Sequence, residues 1–271
     1  RYGEGLIPII ILVIIALVLL GRTTSVLCGV PVLSNVFCGP PTIRIAVIGD
    51  FNANPAVVAE PTDLAAPKLK AVLDGYLGST YNMYYQTFDA SLLTYAKDAL
   101  LRNYDITILV GERAFTRPVK DAVGWYVNNG GKLIVIGDAA VRDPDDLLYV
   151  GWGGGMFDVF PVRLSTSANI DNPLVLNNLQ LNLFDINHPI VKGYQPRLNL
   201  TQVDCDTVSL LDVQPTGGGV VAVLSGQTGQ GARKDVPGIV ESGTLFGGKV
   251  VYFAFDPGCT PNMWISTVGW L

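Results

Sequence analysis

Apolar positions along this chain follow three regimes. Residues 5–20 (GLIPIIILVIIALVLL) carry no charge at all. From residue 43 to residue 138, short β-branched runs alternate with segments of helical spacing. From residue 151 onward the pattern breaks into Gly-rich, Asn-rich and short apolar pieces.

The middle regime is the most regular. Residues 43–50 (IRIAVIGD) form an apolar run ending in Gly-Asp, the mark of a strand buried on both faces and leading into a loop. Residues 63–77 have the spacing of a helix, with Thr62 or Asp63 as cap and Pro67 early in it. Residues 81–88 then read as a strand, 91–102 as a helix, 104–111 (YDITILVG) as a strand and 117–128 as a helix. Asn129-Gly130-Gly131 supplies a C-cap, and residues 132–138 (KLIVIGD) give the next strand. Strands separated by helix-length segments imply right-handed crossovers and a parallel sheet covered on both faces. Residues 220–225, 238–241 and 249–255 read as further strands that extend the sheet or form a second layer. The fold class expected is therefore α/β: an N-terminal hydrophobic helix, then a mostly parallel doubly wound sheet with additional C-terminal strands.

The first regime reads as a membrane-type helix. Over residues 5–20 such a helix covers roughly 24 Å, short of the roughly 30 Å hydrocarbon core, so it spans a bilayer only with thinning, or packs in a bundle. Pro8 is tolerated because the first helical N–H groups have no intrahelical acceptor. Arg1 stands where a nascent chain has Met, which points to a processed start with the apolar segment retained. Arg1 and Arg22 flank the segment, so basic residues scarcely set its orientation.

This segment resembles the mature N-terminus of type IV pilin-like proteins, archaeal ones included, over residues 1–25. The resemblance implies that the helices leave the membrane to form a filament core and that Glu4 compensates the N-terminal ammonium on Arg1 of a neighbouring copy. Leu6, Ile7, Ile10, Ile14 and Leu17 would then pack in that core. A carboxylate among apolar helices is costly unless paired, which favours this role. The alternative is a Glu4 in the wet interface at a helix N-terminus. The family's acid commonly falls one residue later, where this chain has Gly5.

Composition narrows the function classes. The chain of 271 residues is 49% hydrophobic and only 15% charged, so a sizeable core is possible and much of the surface is uncharged. Its net charge of −5 gives no footprint for nucleic acid. Cys28, Cys38, Cys205 and Cys259 fit two disulfides in any of three connectivities, and His188 is the lone histidine, which excludes a zinc site of the usual kind. Disulfides favour an extracellular location. Asn199-Leu200-Thr201 is a glycosylation sequon. Gly39-Pro40-Pro41 makes a stiff break, so the expected organisation is a helix over 1–24, a Cys/Pro-rich linker over 25–42 and a globular domain over 43–271.

The order YDITILVG, NNGG, KLIVIGD, then His188-Pro189-Ile190-Val191-Lys192-Gly193, Gly247-Gly248-Lys249-Val250-Val251-Tyr252 and Asp256-Pro257-Gly258, is similar to ThuA-like and glutamine-amidotransferase-like domains. Active amidotransferases carry a nucleophilic Cys at a strand-to-helix turn. Here no cysteine lies between Cys38 and Cys205, and Asp138 follows the KLIVIGD strand. A nucleophile and base within reach are the minimum for covalent catalysis, so no catalytic residue and no cofactor are expected. His188 is expected to close a hydrogen bond within its own loop. Asp143, Asp145 and Asp146 offer oxygen ligands for a hard cation or simply a solvated loop. Gly153-Gly154-Gly155 lacks the Lys-Ser/Thr ending of a phosphate loop. A pocket joining Asp50, Glu112, Asp138 or His188 would favour an enzyme.

The expectation is a self-polymerising structural subunit of an extracellular filament, membrane-inserted before assembly, serving adhesion to a surface or cell receptor. The alternative is a single-pass membrane-anchored, catalytically inactive binding module.

Overall fold

The structure is a computed structural model that describes Leu12 and residues 42–51, 65–75, 82–146, 150–156, 158–203, 205 and 207–271. The apolar helix expected over residues 1–24, with Arg1, Glu4, Leu6, Ile7, Ile10, Ile14 and Leu17, lies outside the described residues, as do Cys28, Cys38 and the linker before Thr42. Among the described residues no helix is long and apolar enough to cross a membrane. Backbone contacts divide the chain into one unit of Arg1–Ile43 with Tyr76–Met83 and a second of Arg44–Gly75 with Tyr84–Leu271. The second unit carries nearly all of the described structure.

Its elements follow the expected alternation. Strand β1 (Thr42–Gly49) is followed by α1 (Pro67–Gly75), β2 (Asn82–Phe88), α2 (Leu92–Asn103), β3 (Ile106–Val110), α3 (Arg117–Asn128) and β4 (Lys132–Ile136). Then come β5 (Val162–Leu164), β6 (Leu174–Leu183), β7 (Arg197–Asn199), β8 (Thr207–Leu210), β9 (Val213–Pro215), β10 (Gly219–Gln227), β11 (Arg233–Gly243), β12 (Lys249–Phe253) and α4 (Pro261–Trp270). Helix α3 begins with Thr116 as cap and Pro118 in its first turn, and Gly130 takes φ +95° just past its end, as the NNGG pattern requires.

The main sheet has ten strands in the order β2-β1-β3-β4-β12-β11-β10-β6-β7, with β8 also on β6. It is mixed, which corrects the expectation of a mostly parallel sheet. The pairs β1·β3, β3·β4 and β4·β12 are parallel, whereas β12·β11, β11·β10, β10·β6, β6·β7 and β6·β8 are antiparallel. The cause is local. Glycine-containing connections too short for a crossover join β10 to β11 and β11 to β12, closed by Thr228 N to Ala232 O at 2.9 Å and Thr244 N to Gly248 O at 2.8 Å.

Each central strand is buried on both faces. Ala46, Ile48, Leu109, Leu133, Val135, Val250 and Tyr252 join one cluster with Leu93, Leu100, Val119, Val123 and Tyr126 of α2 and α3. Strand alternation sends Ile45, Val47, Ile108, Ile134, Ile136, Val251 and Phe253 to the opposite face, all of them buried. Leu69 and Leu73 of α1 and Met263 and Trp264 of α4 are buried outside the first cluster.

Candidate functional site

In open α/β sheets ligands bind beyond the C-terminal strand ends. Here that end holds a cleft of about 310 Å³ beside β4 and β12. Ile136 and Gly137 leave β4 into it, Ala254 to Asp256 leave β12, and Pro67 and Lys68 open α1 beside them. Cys205 and Cys259, joined as a disulfide with Cα atoms 6.1 Å apart, form part of the wall. This is one of the connectivities that the four cysteines allow.

Among the described residues Asp256 is the one carboxylate that lines the cleft. Its Oδ2 accepts from Lys68 N at 2.8 Å, and its Oδ1 accepts from Leu69 N at 3.0 Å and Gly258 N at 2.8 Å. It therefore caps two helical turns at once, the start of α1 and the short 3₁₀ turn Pro257–Cys259. Burial pushes its carboxyl above the usual range, against the pull of those three N–H groups. The expected cap of this helix, Thr62 or Asp63, lies outside the described residues.

Asp138 is elsewhere. It sits at the turn after β4 with its Oδ2 2.5 Å from Arg113 Nε, and both side chains are 1% exposed. Arg113 also donates from Nη2 to the Ile170 carbonyl. The turn after β4 thus holds a buried ion pair. Tyr252 from β12 is fully buried nearby, and burial, with the charge of Asp138, pushes its phenol far above the usual value. Asp50, Glu112, Asp138 and His188 do not line the cleft.

His188 does what its loop predicts. Its Nδ1 accepts from Ile190 N at 3.3 Å, and its ring lies 5.5 Å from that of Trp270. Asn199 is exposed at the end of β7, and its Oδ1 accepts from Thr201 N at 3.1 Å and Thr201 Oγ1 at 2.6 Å.

In the acidic run 142–146 Asp143 is buried, while Asp145 and Asp146 are exposed. Asp143 Oδ1 accepts from Asp145 N at 3.1 Å, and its charge acts on the buried Lys120 of α3. Lys120 Nζ donates to Gly151 O at 3.0 Å, and burial lowers its pKa from 10.5 to about 8. Among the described residues no group of three His, Cys, Asp or Glu is placed to hold a metal ion.

The glycines at 153–155 serve packing. A Cβ on Gly124 would lie 2.1 Å from Gly155 O, and Gly155 N donates to Asp121 Oδ1 at 2.7 Å, so the backbone there lies directly on α3. Trp152 stacks on Phe160 at 4.6 Å and donates from Nε1 to Ala139 O at 2.8 Å. Arg113, Lys120 and Asp256 escaped the sequence reading as participants because their partners are distant in the chain. Only the GER and DPG turns at strand ends hinted at them.

No family model matches the sequence, and no curated protein matches it. Solved structures do resemble the fold. A cold-adapted β-galactosidase from a Rahnella species matches with a TM-score of 0.54 at 13% identity, covering 89% of this chain and 33% of that one. A β-galactosidase from Bacillus circulans matches at 0.53 and 13% identity, covering 83% and 30%. A ThuA-like protein from Bacteroides uniformis matches at 0.49 and 13%, covering 85% and 91%. The chain spans about a third of the β-galactosidases. At such identity the β-galactosidase matches speak to the α/β fold and not to its chemistry.

Proposed function

We propose that this chain is a structural subunit of an extracellular type IV pilus-like filament. It polymerises through the apolar helix of residues 5–20 and displays the α/β domain outside, where it serves adhesion or surface attachment. The observation that carries this reading is the uninterrupted charge-free run preceded by Glu4. The Cys205–Cys259 disulfide supports an extracellular setting. The amidotransferase-like domain is read as catalytically silent, because its elbow carboxylate is committed to Arg113 and its cleft carboxylate to three backbone N–H groups.

A second reading is favoured by the cleft: a membrane-anchored binding module that takes a small, largely apolar ligand at the C-terminal strand ends. Negative-stain electron microscopy of material sheared from cells, beside a Glu4→Ala strain, separates the two. Filaments that contain the chain and vanish in the variant are expected. Membrane-bound particles without filaments, indifferent to the substitution, would replace the first reading with the second.

A further inference from the structure

The chain holds a single Asn-x-Ser/Thr triplet, Asn199-Leu200-Thr201, and the fold sets it where another enzyme can reach it. Asn199 is the last residue of β7, which ends the strand order of the main sheet, and its side chain is exposed. Leu200 opens a 3₁₀ turn, Leu200–Val203, and lies only 2% exposed on the wall of the cleft. The middle residue of the triplet thus anchors the turn in the domain, while the asparagine beside it stands in solvent.

The carboxamide is held by one end. Its Oδ1 accepts from Thr201 N at 3.1 Å and from Thr201 Oγ1 at 2.6 Å. A backbone N–H donor at that atom identifies it as the oxygen, so Nδ2 is the other arm of the amide. Among the described residues Nδ2 has no hydrogen-bond partner. The same Oδ1 caps the 3₁₀ turn, a role that Asp would fill equally well. Capping makes no use of Nδ2, and it does not call for the Thr201 hydroxyl.

The surroundings suit a bulky polar group. Register sets Asn199 opposite Gln180 of β6, Gln180 opposite Ser225 of β10, and Ser225 opposite Asp235 of β11. Residues directly opposite in antiparallel strands share a face, so these four form a polar row across the sheet. Arg197, two residues before Asn199 on the same face, is exposed and pairs with Asn182. Leu198 and Leu181 pair on the other face.

We propose that Asn199 carries an N-linked sugar. The donor is a lipid-linked sugar phosphate, brought by a separate transferase. Nδ2 bonds to C1 of the sugar as the C1–O bond to phosphate breaks; the electron pair of that bond leaves with the lipid phosphate, and the proton lost from Nδ2 passes to a base on the transferase. On β7 the sugar stands at an edge of the sheet, where it obstructs pairing with a strand of another chain. The inference rests on the reading of the chain as extracellular.

The test is tandem mass spectrometry of the full chain purified from its native cells, beside strains that carry Asn199→Asp, Thr201→Ala and Thr201→Ser. Intact cells are labelled in parallel with a membrane-impermeant amine reagent. The peptide that holds Asn199 should exceed its sequence mass by whole sugar units. Asn199→Asp and Thr201→Ala should lose the entire increment, and Thr201→Ser should keep it. Asn199→Asp retains the oxygen that caps the turn, so a folded, unmodified variant is the expected product. An unmodified Asn199 on a chain that labels at the cell surface overturns the proposal and leaves the extracellular reading standing. An unmodified Asn199 on a chain that does not label overturns both. A sugar increment that survives Asn199→Asp lies on another residue and overturns the proposal as well.

Discussion

The Arg113–Asp138 pair is where a structural and a catalytic reading of the strand-end turn diverge most sharply. Both side chains are 1% exposed, and the nearest atoms are 2.5 Å apart. Removing one partner of such a pair leaves the other charged, buried and uncompensated, a loss of about 3–5 kcal/mol. Folded domains have only about 5–15 kcal/mol in total, so Asp138→Ala should consume a large share of it. At roughly 2–4 °C per kcal/mol for a domain of this size, the melting temperature should fall by about 6–20 °C.

The assay is urea unfolding followed by circular dichroism at neutral pH with the disulfide intact, beside calorimetry. Arg113→Met combined with Asp138→Leu should recover much of the loss, because replacing both charges removes the desolvation cost together with the attraction. Single variants that each lose less than about 1 kcal/mol would refute the reasoning. So would a double variant as unstable as the sum of the two, since the pair would then not be the unit of stability.

Three further outcomes follow from other buried groups. Burial brings Lys120 down to about 8, so above that pH the folded state binds fewer protons than the unfolded one, whose lysine keeps the usual 10.5. Stability relative to Lys120→Met should therefore rise between about pH 8 and 10.5, as measured by urea midpoints across that range. Reducing the Cys205–Cys259 bond, which spans 54 residues, should cost about 4 kcal/mol on a loop-entropy basis, read from unfolding with and without dithiothreitol. Asp256→Ala leaves the N-termini of two helical turns uncapped and should cost about 1–4 kcal/mol, twice a single cap, with faster amide exchange at Lys68, Leu69 and Gly258.

The central strands were legible because burial on both faces leaves continuous apolar runs, as in residues 43–50 and 132–138. β6 was missed although Leu176, Leu179, Leu181 and Leu183 are its buried positions. Its other face carries Asn and Gln, and Asn178 at φ +54° interrupts the alternation. Helix α4 was hidden for the opposite reason. It buries Met263, Trp264, Thr267 and Val268, is apolar almost all round, and shows no polar stripe to betray its period. The antiparallel half of the sheet was readable in principle from the short Gly-containing connections at 228–232 and 244–248. The site was less so. Asp256 reaches Lys68 N across 188 residues, and no spacing rule encodes a partner at that distance.

The carboxylate placements at the C-terminal strand ends bear on what such a domain can do. A catalytic group there must be exposed to substrate and free to change its protonation or bonding. Asp138 is walled in beside a guanidinium, and Asp256 is spent on three backbone donors, so each is most stable in its present state. The same commitments tie β4 to the turn after β3, and the β12–α4 connection to α1, with the disulfide holding that connection to Cys205, two residues before β8. Such cross-bracing makes the domain resist local unfolding, which suits the proposed display outside the cell.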